Sequence, residues 1–333
     1  MLGKILARKV SPAAPPPPFM IQVQNLAKDF DGKRNHALMD LNLDVPKGQI
    51  FGLIGANGAG KTTALKIMAT ILPPGRGDVL IDGKSVRKYP VQVRRLIGYV
   101  PDDYGLYTEM QIDEYLEFFA ACYGIHGKKR QQLVNELLDL VDLQTKRKQL
   151  LKGLSRGMKQ RLCLAHALVH DPQVLLLDEP ASGLDPRARL EMRELMRELA
   201  YMGKTVVISS HALQDVHDIC DVVGIMAHGR MLECGPTETV AAKGAAGVHL
   251  RQLVVRVVSQ ADVERTLTIA TGFAAVAAES LIADPANRRV QVAIEGDETT
   301  CAAFLSYLTG QGVAVAHFTQ RGSGLEELFV GED

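Results

Sequence analysis

The chain has 333 residues, 47% of them hydrophobic and 23% charged, which is the make-up of a globular protein with room for about two domains. Its 38 basic and 38 acidic side chains cancel to a formal net charge of +0, which argues against the basic field that nucleic-acid binding usually shows. Cys122, Cys163, Cys220, Cys234 and Cys301 are scattered, odd in number and form no C-x-x-C pair, which argues against a disulfide framework or zinc site and for reduced thiols.

Residues 1–19 carry Lys4, Arg8 and Lys9 without an acid and end in Pro15-Pro16-Pro17-Pro18. Only Ile5-Leu6-Ala7 is apolar before the prolines, so the stretch is a poor signal peptide and is expected to be a disordered tail. Met20, which opens the strand-like run at 21–26, is the expected natural start. From there to about 240 the chain alternates short β-rich runs with helical patterns, as in an α/β domain. Strands are predicted at 50–54, 96–100, 174–178, 205–209 and 222–226. Three of them run into polar groups: the glycine loop after Ile54, Asp178 and Ser209. In open α/β sheets ligands sit beyond the carboxyl ends of the strands, so these groups are expected to converge.

The loop Gly55-Ala56-Asn57-Gly58-Ala59-Gly60-Lys61-Thr62-Thr63 reads G-x-x-x-x-G-K-T between an apolar strand and a helical pattern. Glycines let several backbone N–H groups turn onto one anion, and the helix start adds its positive dipole end. Lys61 is placed to reach the outer phosphates and the Thr62 hydroxyl to hold Mg²⁺. Between 104 and 170 the pattern becomes nearly all helix, with Tyr115, Leu116, Phe118 and Phe119 at spacings that predict a core-facing stripe. That helical subdomain closes with Leu154-Ser155-Arg156-Gly157-Met158, where Ser155 is an N-cap for a helix to about Val169.

The run Val174-Leu175-Leu176-Leu177 then delivers two adjacent carboxylates, Asp178 and Glu179. Side chains alternate along a strand, so the two cannot share a job: one suits a metal and the other an attacking water. Asp185 caps a helix with Pro186 at its first position, and His211 follows the strand at 205–209. After the small-residue linker at 241–247, strands near 253–258, 290–294 and 313–315 and helices near 261–269 and 300–308 predict a small α+β domain over 248–333. Residues 246–333 hold 6 basic and 11 acidic groups, and no catalytic group is evident there. The uncharged run 299–320 is broken by Gly310-Gln311-Gly312 and is not expected to span a membrane.

The ordered set of glycine cradle, Leu154-Ser155-Arg156-Gly157-Met158, Leu177-Asp178-Glu179-Pro180, Ser182-Gly183-Leu184-Asp185 and His211 resembles the ATP-binding cassette ATPases over roughly residues 21–235. It looks most like single-cassette subunits of bacterial exporters, to which 98–103 and 325–329 are also similar. The resemblance implies a P-loop NTPase cassette, residues 20–240, that binds ATP and Mg²⁺. It also implies that Phe30 stacks on adenine, Gly55 to Thr63 hold the triphosphate, and Thr62 with Asp178 positions the metal. Glu179 would be the general base and His211 a contact to the γ-phosphate, while Ser155 and Gly157 would bind the ATP of an opposite subunit in a homodimer or paired cassette. Transmembrane permease subunits would hold the cytoplasmic protein at the inner face of the membrane, with no nucleic-acid partner.

Two departures stand out. Asp102 occupies a position that is usually Gln, where its charge and shorter reach alter any contact with the metal; Arg156 and Met158 replace the usual Gly and Gln. The alternative is a soluble cassette ATPase acting on ribosomes or DNA. Chromosome-type members insert long coiled coils between the cradle and the acidic strand, whereas only 117 positions separate Lys61 from Asp178 here.

Overall fold

The computed structural model describes residues 19–30, 35–103, 105–211, 216, 218–240, 250–276, 280–296 and 298–320. The proline-rich tail up to Pro18, the linker at 241–247 and the segment at 325–329 lie outside them. Phe19, assigned above to the tail, is instead the first residue of a strand and pairs with Pro46. The chain divides into two compact units, Met1–Thr237 and Glu238–Asp333.

The first unit opens with an antiparallel pair, β1 (Phe19–Phe30) and β2 (Asn35–Pro46), followed by β3 (Ile50–Ile54) and α1 (Lys61–Met68). Next come β4 (Arg76–Ile81), β5 (Lys84–Ser85), α2 (Pro90–Arg94) and β6 (Ile97–Val100). The helical stretch contributes α3 (Ile112–Cys122), α4 (Gly127–Leu140) and α5 (Arg156–Leu168). The unit ends with β7 (Val174–Asp178), α6 (Pro186–Tyr201), β8 (Thr205–Ser210), β9 (Val222–Ala227) and β10 (Arg230–Pro236).

These strands form two sheets, ordered β2-β1-β4-β5 and β10-β9-β3-β8-β7-β6. In the six-stranded sheet β9, β3, β8, β7 and β6 run parallel, with β10 antiparallel at the edge. Every residue of β3, β7 and β8 is buried, as expected of parallel strands covered on both faces. One apolar core joins the sheets: Ile21, Val23, Leu41 and Val45 of the first pack with Phe51, Leu53 and Leu176 of the second and with Leu65 and Ile67 of α1. That shared core is what brings β2 beside the start of α1.

Local chemistry sets the helix starts. The Ser155 hydroxyl accepts from the Met158 N–H and caps α5, and the Asp185 carboxylate accepts from Ala188 N–H and caps α6, with Pro186 in its first turn. The aromatic stripe of α3 is core only in part. Tyr115 and Leu116 are buried, but Phe118 is 47% exposed, because Phe119 stacks on His166 of α5 (centroids 3.7 Å) and takes the inward place. Burial lowers the His166 imidazole to about 4, and the Tyr115 hydroxyl lies 3.0 Å from its Nδ1.

In the second unit β11 (Leu250–Val257), α7 (Ala261–Ala270), β12 (Ile282–Asp284), β13 (Arg289–Glu295), α8 (Glu298–Gly310) and β14 (Val315–Gln320) follow in turn. The sheet order β12-β13-β11-β14, all antiparallel, is the split β-α-β arrangement of ferredoxin-like folds. Leu253, Val255 and Val257 alternate on β11 and Val290, Val292 and Ile294 on β13, and both rows bury against Val263, Phe304 and Leu308. The strand predicted at 313–315 starts only at Val315. Gly312 (φ 81°) ends α8 in a left-handed turn, and the Val313 N–H bonds back to the Leu308 carbonyl instead of joining the sheet. Among the described residues no helix is long and apolar enough to cross a membrane.

The partly buried His166 makes stability depend on pH. The unfolded imidazole binds its proton near 6.5 and the folded one only near 4, so between these values the unfolded state takes up more protons and stability falls as pH falls. Urea titrations at about pH 7.5 and about pH 5 should differ by about 2 kcal/mol through this residue. His166→Phe should flatten that part of the slope.

Candidate active site

The parallel ladder aligns three strand ends. Leu53 on β3 pairs with Ser209 on β8, and Ser209 with Asp178 on β7, so one row of the sheet leads directly into the glycine loop. The Gly55 N–H donates to the Ser210 carbonyl (3.2 Å). A Cβ on Gly55 would lie 2.4 Å from the Met226 carbonyl oxygen, and one on Gly60, at φ 102°, would lie 2.4 Å from that of Ala37. The loop is therefore pressed between β9 and β2, and only glycine fits at these two points. Ala56, Asn57 and Gly58 are exposed at its crest, and the buried Ala59 turns it by donating to Ala56 and accepting from Gly229. No side chain caps α1, so its first N–H groups face the loop without an internal acceptor. Thr63 is half-buried on the first turn.

Lys61 is 6% exposed, and its Nζ donates to the carbonyls of Gly55 (2.6 Å) and Ala56 (3.2 Å) and lies 3.5 Å from Glu179 Oε1. The Thr62 hydroxyl donates to Asp178 Oδ1 (3.0 Å). Asp178 is 1% exposed and also accepts from the Ser209 hydroxyl (2.6 Å). Glu179 departs in another direction. Its φ of 50° is unusual for a residue with a side chain, its N–H donates to Ser209 Oγ (2.9 Å), and its carboxylate meets His211 Nδ1 at 2.8 Å. Asp178, Glu179, Lys61, Thr62 and His211 thus form one cluster.

The remaining candidates stand further off. Phe30 is 38% exposed at the end of β1, opposite Asn35, on the hairpin whose Ala37 adjoins Gly60; Lys28 Nζ lies 5.5 Å from its ring centre. Asp102 is exposed in the loop after β6. Its charge is felt by Tyr99, whose hydroxyl is raised above its ordinary value by burial first and then by Asp178 and Asp102. Ser155 is exposed at the start of α5, and Gly157 packs on α6, where its Cβ would meet that of Ala188 at 3.1 Å. Arg156 lies across the Gly183 turn before α6, its guanidinium carbon 2.7 Å from where a Gly183 Cβ would sit. A cavity of about 860 Å³ opens elsewhere, between the ends of α3, α4, α5 and α6, and none of these residues lines it.

Sequence reasoning placed Ser209 at a strand end without a role, and it missed Tyr99 and the two carbonyls that wall the loop. The signal for Ser209 was its position at the polar end of an apolar strand. The Met226 and Ala37 carbonyls are backbone groups, which no residue pattern marks.

A glycine loop between a buried parallel strand and a helix, with paired carboxylates on the neighbouring strand, defines a P-loop nucleoside triphosphatase. A family model described as ABC transporter matches residues 38–182. The chain is 32% identical over 243 residues to the linearmycin resistance ATP-binding protein LnrL of Bacillus subtilis, covering 73% of this chain and 77% of that one. It is 37% identical over 220 residues to the Nod factor export ATP-binding protein I of Burkholderia thailandensis, covering 66% and 72%. Among solved structures it is similar to the dimeric post-hydrolysis state of the cassette MJ0796 bound to ADP and Pi (TM-score 0.61, 25% identity, 66% of this chain and 99% of that one). The chain belongs to the ATP-binding cassette family of transporter ATPases. Gly60→Ala should weaken ATP binding at least about tenfold and destabilise the first unit by more than about 1 kcal/mol, since a Cβ there meets both an unfavourable φ and a carbonyl. Calorimetric titration with ATP and thermal unfolding read the two effects.

Proposed function

We propose that this ATPase binds MgATP as one of two facing cassettes and that the closing and opening of the pair drives export through separate permease subunits, which hold it at the inner face of the cell membrane. The observation that carries the reading is the division of labour between two consecutive acids: Asp178 with Thr62, Glu179 with Lys61 and His211. This separation suits phosphoryl transfer, because one carboxylate can serve a cation while the other orients the attacking water.

The oxygens of Thr62 and Asp178 fit Mg²⁺, a hard cation. Among the described residues no three His, Cys, Asp or Glu side chains gather into a metal cage, which suits an ion that takes its other ligands from phosphate and water. When bound, Mg²⁺ would neutralise charge on the outer phosphates. Lys61 would exchange its two loop carbonyls and Glu179 for phosphoryl oxygens, with Gly55 to Thr63 enclosing the triphosphate. Glu179 would orient and polarise the attacking water as general base. Its hydrogen bond occupies His211 Nδ1 and leaves the other ring nitrogen for the γ-phosphate. Phe30 would offer its exposed face to adenine. The exposed position of Asp102 favours a contact to the metal through water over a direct one.

Ser155 and Gly157 bond and pack within α5 and α6, and the exposed Ser155 at a helix N-terminus suits an anion arriving from outside the chain. The likeness to a dimeric cassette supports a second subunit as the source of that anion, its bound ATP. The relatives named for resistance and for export support an export role. The helical stretch also speaks for a membrane partner. Tyr107 (57% exposed) and Phe118 (47% exposed) lie 6.1 Å apart as an aromatic patch beside the loop after β6, where a permease segment would dock.

Glu179→Gln should retain ATP binding, reduce turnover at least about 100-fold and accumulate an ATP-bound dimer in size-exclusion chromatography. A mutant hydrolysing at the wild-type rate would remove Glu179 from its role. Phe118→Asp should leave the ATPase rate of the isolated subunit within about twofold and abolish detergent co-purification with the membrane-embedded permease partner from the native host. Undiminished co-purification would move the docking surface elsewhere.

A further inference from the structure

We infer that Ser209 is a positioning residue that aims both acids of the site at once; the inference rests on the MgATP reading above. Its hydroxyl has one proton to give and lone pairs to receive. A carboxylate can only accept, so Ser209 donates to Asp178 Oδ1 (2.6 Å) and accepts from the Glu179 N–H (2.9 Å). The first distance is that of a charge-assisted O–H···O⁻ bond. Ser209 is 0% exposed, so water cannot replace it in either bond.

Asp178 and Ser209 face each other across the β7–β8 ladder, which fixes the hydroxyl at the point where the chain leaves the strand. Glu179 departs there in a left-handed conformation that a residue with a Cβ seldom adopts, and the bond from its N–H to Ser209 holds that departure in place. One oxygen therefore holds the metal-side carboxylate against its ladder neighbour and fixes the backbone from which the next carboxylate departs toward Lys61 and His211. Thr62 donates to the same Oδ1 at 3.0 Å, and its hydroxyl is the one the cation would claim. Ser209 reaches the carboxylate from β8, independently of α1, and keeps Asp178 aimed whether or not Thr62 has turned away.

The test measures three quantities on the full chain: ATP hydrolysis against Mg²⁺ concentration, binding of a fluorescent ATP analogue in EDTA, and binding of the same analogue with Mg²⁺. Ser209→Ala should lower kcat about 10–100-fold, raise the Mg²⁺ concentration for half-maximal rate, and lose the gain in affinity that Mg²⁺ gives the wild type, with binding in EDTA within about twofold. Ser209→Thr, which keeps the hydroxyl, should restore all three. Wild-type kcat and Mg²⁺ midpoint in Ser209→Ala would overturn the inference, as would an equal loss of binding in EDTA and in Mg²⁺, the mark of general disruption. If the alanine variant does not fold, Ser209→Cys decides: its weak donor should give an intermediate rate and midpoint, and wild-type values would refute the role. Failure of the wild-type chain itself to bind the analogue would instead overturn the MgATP reading.

Discussion

Everything in the site hangs on the register of three parallel strands. Leu53, Ser209 and Asp178 lie in one row, and a slip of one residue in either pairing would flip every side chain of the slipped strand to the other face and carry its polar group out of that row. The full burial of β3, β7 and β8 makes such a slip costly, because residues such as Phe51 and Leu176 each fill a specific place in the core. The sheet therefore works as an alignment device: apolar packing chooses the register, and the register delivers the Gly55 turn, the Asp178 carboxylate and the Ser209 hydroxyl to one level.

A second constraint comes from outside that sheet. The glycine loop is closed on one side by β9, through Met226, and on the other by β2, through Ala37. β2 belongs to the antiparallel sheet, which sits there because Ile21, Val23, Leu41 and Val45 share a core with α1 and β3. The shape of the loop is thus held by two layers, and the glycines at 55 and 60 are required by the approach of neighbouring backbone as much as by any ligand. At the start of α5, Gly157 against Ala188 and Arg156 across Gly183 lock that helix to the turn before α6, so the two loops behave as one surface.

Much of this was legible. The strands at 50–54, 174–178 and 205–209 are built on short apolar runs of the length of buried parallel strands, two of them closing in a polar residue, and both helix caps announced themselves through Ser155 and the Asp185-Pro186 pair. The antiparallel β2 was not read, although Leu41, Leu43 and Val45 alternate, because register shifts at several points along β1–β2 break the two-residue period that marks a strand. Phe118 was placed inward because helical spacing marks a face but does not say which residue of a crowded aromatic face meets His166 first. Val313 was read as strand because β-branched residues fit both a strand and the apolar position after a helix-ending glycine.

The sequence by itself determined the chemistry of the site: a glycine loop ending in Lys61 and Thr62, two adjacent carboxylates and a histidine leave little but phosphoryl transfer for them to do. It determined this because such groups sit in contiguous runs whose spacing is short-range and visible. The residue pattern left open which acid serves the metal and which the water; only the tertiary structure shows the contacts of Asp178 with Thr62 and of Glu179 with His211, that one hydroxyl meets both acids' residues, and that Gly157 packs against α6 while Ser155 stays exposed at the start of α5. Those facts depend on contacts between residues 30 to 120 positions apart, such as Thr62 with Asp178 and Glu179 with Ser209, and on the left-handed turn at Glu179. No local pattern encodes them, since they follow from how the strands pair.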